Sequence, residues 1–421
     1  MNNLLKHIAL SVSVLSVTVS LTACGGGSSS TPTTVPNSAT VFYAHSLVFR
    51  NTTTGLLSAG YNAFGQLGTG NLANRSTPGA VRDGLLFSGQ AAGGNHSVAF
   101  FNNSTVRSWG YNGFGQLGND STTYSSVPVK TVNIRGVKAV AAGMQHSLAL
   151  RNDDTVWAWG DNSYGQIGVE KCLDSGKTIA YCKIPVMVGE GIVPFNNISS
   201  IAAGYNHSLV RANGKVWAWG SNSSGQLGLD RNQTGASAPH KVDGLPDGII
   251  AIAAGGAFSY AVSADGKVWA WGNNDNGQLG NETPTDRLEN KALEDSFTPV
   301  LVLTESGLPL DGVVQVSAGK QHGLARRSNG TVWAWGYNIF GQLGNNDKKT
   351  DNKPPDDKHY AVQVVADATG TPFTGATDIR AFGSSSMARN GSGWFAWGDN
   401  AYGQLGTGST GTLLLPVKSG F

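Results

Sequence analysis

The chain has 421 residues, with 29 Lys and Arg against 27 Asp and Glu, a formal net charge of +2, only 13% charged residues and 58 glycines. No basic patch stands out, which argues against nucleic-acid binding, and the glycine-rich, charge-poor composition suits a turn-rich β protein. About 383 residues belong to one repeat array, too many for a single compact core but suitable for cores stacked side by side.

The first element is a secretory-type segment. Lys6 and His7 precede an apolar stretch from Ile8 to Leu21, 14 residues long and short for a membrane span of ~20. It ends in Leu21-Thr22-Ala23-Cys24, which resembles the bacterial lipobox. The resemblance implies a signal peptide over residues 1–23, cleavage before Cys24, and acylation of that cysteine on sulfur and amino group, palmitate included. An ordinary signal peptide with an incidental cysteine, or a retained membrane anchor, is the alternative. Gly25, rather than Asp, follows the cysteine, which by the same resemblance favours the outer membrane. Residues 24–38 are rich in Gly, Ser, Thr and Pro and read as a flexible tether.

From residue 39 to 421 the chain repeats. Gly-Gln-Leu-Gly begins at Gly65, Gly115, Gly165 (with Ile for Leu), Gly225, Gly277, Gly341 and Gly403, in steps of 50, 50, 60, 52, 64 and 62 residues. Each copy sits in a block such as Trp335-Gly336-Tyr337-Asn338-Ile339-Phe340-Gly341-Gln342-Leu343-Gly344. About 15 residues upstream lies a second block, Ala141-Ala142-Gly143-Met144-Gln145-His146-Ser147 in one copy and Ser317-Ala318-Gly319-Lys320-Gln321-His322-Gly323 in another. Between them a hairpin is expected, with turns at Asp153-Asp154, Asn213-Gly214, Asp265-Gly266 and Asn329-Gly330. In Val156-Trp157-Ala158-Trp159 both faces are apolar, so sheets must pack above and below. All eleven tryptophans fall in such strands and read as core. A Pro-Val segment recurs at Pro128-Val129, Pro185-Val186 and Pro299-Val300. The first copy lacks one, and Leu415-Pro416-Val417-Lys418 is expected to complete the first blade and close the ring.

These blocks resemble the repeat of the regulator of chromosome condensation (RCC1) family over roughly residues 39–421. The resemblance implies an all-β fold, a seven-bladed β-propeller whose ring the C-terminal strand closes. The family includes a nucleotide exchange factor for a nuclear GTPase, and similar bacterial propellers include a secreted β-lactamase inhibitor. The matching residues build blades, so no exchange site transfers.

No Gly-x-Ser-x-Gly elbow, His-Glu-x-x-His or P-loop occurs, and neither a catalytic set, a metal site nor a cofactor is expected. His45, His96, His146, His207 and His322 share one repeat position, spread around a ring, and read as hydrogen-bonding groups within their own blades. Phe258 and Ser385 replace them in the fifth and seventh copies. Cys172 and Cys182, in the insertion after the third block, read as a local disulfide.

Recognition is expected where the copies differ. Long insertions at 169–184, 281–298 and 345–360 occupy one point of the repeat, and 366–376 a later one. Phe64, Phe114, Tyr164, Phe340 and Tyr402 precede Gly-Gln-Leu-Gly, with Ser224 and Asn276 in the fourth and fifth copies; Tyr61, Tyr111 and Tyr337 sit three residues earlier. In a closed ring these aromatics form a crescent, a candidate protein-binding surface beside the reading as turn packing. The leading expectation is a monomeric, lipid-anchored, non-enzymatic scaffold for an unnamed protein partner at the bacterial cell envelope, periplasmic or surface-facing. The alternatives are an inhibitor or regulator of a secreted or periplasmic enzyme, guanine nucleotide exchange by family analogy, or an unrecognised enzyme in the central channel.

Overall fold

The computed structural model describes residues 44–49, 55–82, 87–101, 105–191, 197–282, 293–347 and 356–421. The signal segment, Cys24 and the tether lie outside these residues.

The described residues form seven antiparallel sheets arranged as propeller blades, plus a small hairpin. Blade two is representative: Phe87–Ala92, His96–Phe101, Val106–Gly110 and Ser125–Lys130 follow one another in sequence and in space. Blades three to seven repeat that order. Blade one shows three strands, His45–Phe49, Leu56–Gly60 and Arg75–Ala80. First strands of successive blades neighbour one another around the axis.

The strand sequences explain the stacking. Val156, Ala158 and Trp159 are buried, as are their counterparts in the other Val-Trp-Ala-Trp strands. The apolar clusters therefore form between blades. One joins Ala139, Leu148 and Val156 of blade three to Ile198, Ile201 and Trp219 of blade four. Another joins Leu324, Val332 and Leu343 of blade six to Ile379, Ala388 and Trp397 of blade seven. A sheet with two apolar faces has no stable existence alone, and the ring supplies both neighbours.

Turn chemistry follows the sequence in part. Asn213 and Gly214 both take positive φ, 51° and 68°, as a two-residue hairpin requires. At Asp265-Gly266 and Asn329-Gly330 only the glycine does, with φ of 79° at both. Those loops are three residues long, and Gly266 N donates to Ser263 O at 2.8 Å, so the glycine alone carries the left-handed position.

Ring closure departs from expectation. Leu413–Lys418 pairs with Gly393–Gly398, with Val417 opposite Ala396, so it completes blade seven and not blade one. Blade one already has its outer strand. Gly79 stands opposite Ser58 where Val129 stands opposite Ser108 in blade two. Pro78-Gly79 is thus the first Pro-Val segment, disguised by a glycine whose added Cβ would collide with the Arg75 guanidinium.

The seventh interface is sealed by another device. In the first six, Gly68, Gly118, Gly168, Gly228, Gly280 and Gly344 face the indole of the next blade's tryptophan. Blade one has Ala59 at the tryptophan position, and Gly406 instead faces the ring of Phe421. Phe421 packs against the buried cluster that comprises Val48, Phe382, Met387, Trp394, Ala396 and Leu405. Gly420 N donates to Gly406 O at 2.9 Å and Ser419 Oγ to Leu405 O at 2.7 Å, which fixes the segment carrying it. Phe421→Ala should cost about 2 kcal/mol, since the ring is only half-buried and large-to-small changes at full burial cost more. Urea denaturation measures this, and an unchanged midpoint would contradict the sealing role.

Candidate functional site

The antiparallel order places the first-to-second and third-to-fourth strand turns at the same end of every blade. The Ala-Ala-Gly and Gly-Gln-Leu-Gly blocks therefore share one face of the propeller. The insertion after the third Gly-Gln-Leu-Gly, with its hairpin over 172–179, rises from that face, whereas 366–376 joins blades six and seven at the opposite one.

Each Gly-Gln-Leu-Gly turn is built by its own side chains. Asn62 Oδ1 accepts from Leu67 N at 2.9 Å and Gln66 Oε1 from Phe64 N at 3.0 Å. The same two bonds recur in all seven blades, through Asn400 and Gln404 in the last. The turn is rigid, so residues mounted on it are held in place.

The glutamine backbone then serves the next blade. Gln66 O accepts from Ser97 Oγ at 2.8 Å and Trp109 Nε1 at 2.9 Å, both in blade two. His45 Nε2 bonds Ser97 Oγ at 3.0 Å. The serine's one proton is committed to the carbonyl, so the imidazole donates from Nε2. His96–Ser147, His146–Ser208 and His207–Ser259 repeat this at the next three interfaces and His322–Ser386 between blades six and seven, at 2.9–3.0 Å. The histidines thus bond between blades, correcting the intrablade expectation. Gly93, Gly143, Gly204 and Gly319 are required beside them, because a Cβ there would meet the imidazole.

These five histidines are fully buried, and burial pushes each imidazole down to about 3. Their folded values lie below the unfolded one of 6.5, so the stability they contribute is present above pH 6.5 and lost as pH falls towards 3. The loss approaches about 1.4 kcal/mol per pH unit for each histidine. The melting temperature should be flat above pH 7 and fall steeply from pH 6.5 to 4; a constant value from pH 7 to 5 would contradict this.

The predicted aromatics are brought together in four contacts, three between blades and one within a blade. Tyr402 of blade seven meets Tyr61 of blade one edge-on, centroids 5.0 Å apart, and Phe64 meets Tyr111 of blade two at 4.9 Å. Phe114 meets Tyr181 at 6.3 Å and 88°. Tyr337 and Phe340 pair within blade six at 6.3 Å. The ladder therefore runs through blades seven, one, two and the edge of three, each rung bridging two blades. Tyr164 has no ring contact among the described residues; it is 54% exposed and rims a separate cavity. Tyr181 was missed from sequence because residues 169–184 read as an insertion, whereas Tyr181 opens the outer strand Tyr181–Met187 of blade three.

That insertion is an ordered device. Cys172–Asp174 and Lys177–Ile179 form a hairpin, and Cys172 is disulfide-bonded to Cys182 with Cα atoms 5.1 Å apart. Lys183 Nζ lies 3.0 Å from Asp174 and 3.6 Å from Asp120 of blade two, tying the hairpin across the interface. Tyr181 is thereby presented beside Phe114.

Among the described residues no group of three or more His, Cys, Asp or Glu is placed to hold a metal ion. The profile of the RCC1-like domain family matches residues 28–296, more than half of the chain, and RCC1 repeats match 313–342 and 329–374.

The chain belongs to the RCC1-like domain family.

This RCC1-like propeller is 31% identical over 223 residues to human probable E3 ubiquitin-protein ligase HERC3, covering 52% of this chain and 19% of that protein. It is 33% identical over 218 residues to human probable E3 ubiquitin-protein ligase HERC6, covering 51% and 19%. The chain thus matches about a fifth of each. Among solved structures it superposes on human WBSCR16 with a TM-score of 0.69 at 24% identity, covering 86% of this chain and 93% of that one. It superposes on Prp20p from Saccharomyces cerevisiae, a structure described with its binding to Gsp1p and histones, with a TM-score of 0.68 at 24% identity, covering 85% and 84%. Those structural likenesses establish the propeller fold.

Proposed function

We propose that the chain is a non-enzymatic scaffold that binds a protein partner through its aromatic ladder, anchored by lipid on Cys24 at the bacterial cell envelope, most simply the outer membrane. One observation carries the binding reading: six aromatic rings from four blades, Tyr402, Tyr61, Phe64, Tyr111, Phe114 and Tyr181, line one face in bridging pairs, none of them fully buried. Aromatics in a rigid frame lose little conformational entropy on binding and serve as interface anchors. The hydrogen-bonded turns beneath them supply the frame. A disulfide in the flanking hairpin suits an oxidising compartment, which supports the exported reading of residues 1–24. A tether of about 15 residues would let the propeller stand clear of the membrane. An inhibitor of a secreted enzyme is a special case of the same scaffold, with the enzyme as partner.

Two experiments test this. Replacing Tyr111 and Phe114 together by Ala should weaken capture of envelope proteins on immobilised residues 39–421 at least tenfold with little change in melting temperature. Lost stability with unchanged capture would return the aromatics to turn packing. Separately, Cys24→Ser should move the protein from the membrane to the soluble fraction, and a variant still in the membrane would contradict the anchor.

A further inference from the structure

The ladder leaves one part of the same face unused. Between blades three and six lies an open cavity of about 390 Å³, lined by Tyr164, Tyr205, Asn206, Asp275, Lys320 and Gln321 among others. Its origin is legible residue by residue. The first turn of blade four carries Tyr205-Asn206 and that of blade six Lys320-Gln321, but the turn between them carries only Gly256-Ala257. The three turns are tied by backbone bonds, Tyr205 N to Gly256 O at 3.1 Å and Gly256 N to Lys320 O at 3.3 Å. Two neighbours with long side chains therefore flank a gap over blade five. Further out, the turns of blades four and five carry Ser224 and Asn276 where the others carry aromatic rings, and these same turns contribute Ser223 and Asp275 to the lining.

The lining carries one ammonium, Lys320, and one carboxylate, Asp275, and the two are not ion-paired. Lys320 is half-buried, and among the described residues no carboxylate lies within ion-pair distance of it. Burial alone lowers its ammonium below the ordinary lysine range. Asp275, the carboxylate in the lining, is engaged by Asn273, whose Nδ2 donates to it at 2.9 Å. A partly desolvated cation without a counter-ion is unfavourable, and an arriving anion relieves that cost. One ammonium matches one negative charge. A phosphate dianion would face Asp275 with a single lysine and no guanidinium fork to receive it. The volume accommodates a side chain with its flanking backbone.

We propose that this cavity receives the carboxylate of an aspartate or glutamate side chain from the polypeptide partner, with Lys320 as counter-ion and the amides of Asn206 and Gln321 as neutral donors. The site rests on the scaffold reading, because it shares the ladder's face and adds a charged contact at its open end. It gives specificity: a partner with an acidic residue at the right reach is accepted, and one with a basic residue there is repelled.

The probes are amidated hexaglutamate and hexaglutamine, each carrying fluorescein on its N-terminus, titrated by fluorescence anisotropy against the full chain at about 50 mM salt, where screening is moderate. Hexaglutamate is expected to bind wild type at least tenfold more tightly than hexaglutamine. Lys320→Gln should abolish that preference with an unchanged melting temperature, and Lys320→Arg should keep it. Binding should also raise the Lys320 amine pKa, read from its Cε NMR shift. Equal binding of the two peptides by wild type, or an undiminished preference in Lys320→Gln, would overturn the proposal. Neither result touches the scaffold reading, which fails only if the Tyr111 and Phe114 variant still captures its partner.

Discussion

The whole ring depends on one acceptor per interface, the backbone carbonyl of the glutamine in Gly-Gln-Leu-Gly. That carbonyl lies at the end of a turn whose own bonds are completed by the Asn and Gln side chains. It projects into the next blade and accepts two donors there, a serine hydroxyl and an indole N–H, at 2.7–3.0 Å where both occur. The donors come from the two central strands of the following sheet. Apolar packing between blades is non-directional, whereas this carbonyl fixes the register of one sheet against the next.

The two joints that lack the standard donors show how strongly the acceptor must be satisfied. Between blades five and six, Phe258 replaces the histidine and Gly323 the serine. Tyr260 fills the vacated space, and its hydroxyl donates to Gln278 O at 2.5 Å alongside Trp335 Nε1 at 3.0 Å. A side chain on Gly323 would collide with that hydroxyl and with the Trp335 ring, so the three replacements form one unit. Between blades seven and one, Ser46 Oγ still donates to Gln404 O at 2.5 Å, but Ala59 supplies no indole. Phe421 restores the missing volume, and Arg380 adds a bond from Nη1 to Leu47 O at 3.1 Å. Because the joints are rigid, irregular residues mounted on the turns are held in fixed positions, as recognition requires.

The repeat made much of this legible. Seven Gly-Gln-Leu-Gly blocks, both-faces-apolar strands and recurring Asn-Gly or Asp-Gly turns state the blades directly, since local spacing encodes them. What the sequence hid is whatever depends on neighbouring copies. His146 is separated from Ser208 by 62 residues, so its partner could not be read from its own repeat. Gly79 masked the first Pro-Val segment, which misassigned the closing strand, and Phe421 has no repeat counterpart at all. Of the candidate site, the aromatic positions were visible as a column in the repeat, whereas Tyr181 was hidden where an insertion runs into the outer strand of blade three. The contrast between Gly256-Ala257 and Lys320-Gln321 was present in the aligned blocks, but only the geometry turns it into a cavity.

A double-mutant cycle on Ser147→Ala and Trp159→Phe, followed by urea denaturation, tests the shared carbonyl most directly. Each single change leaves Gln116 O with one donor; the double change leaves a buried acceptor with none. The account predicts that the double variant loses about 1–3 kcal/mol more than the sum of the singles, the cost of an unsatisfied buried polar group. Additivity to within about 0.5 kcal/mol would show that the carbonyl is not the joint on which the ring depends.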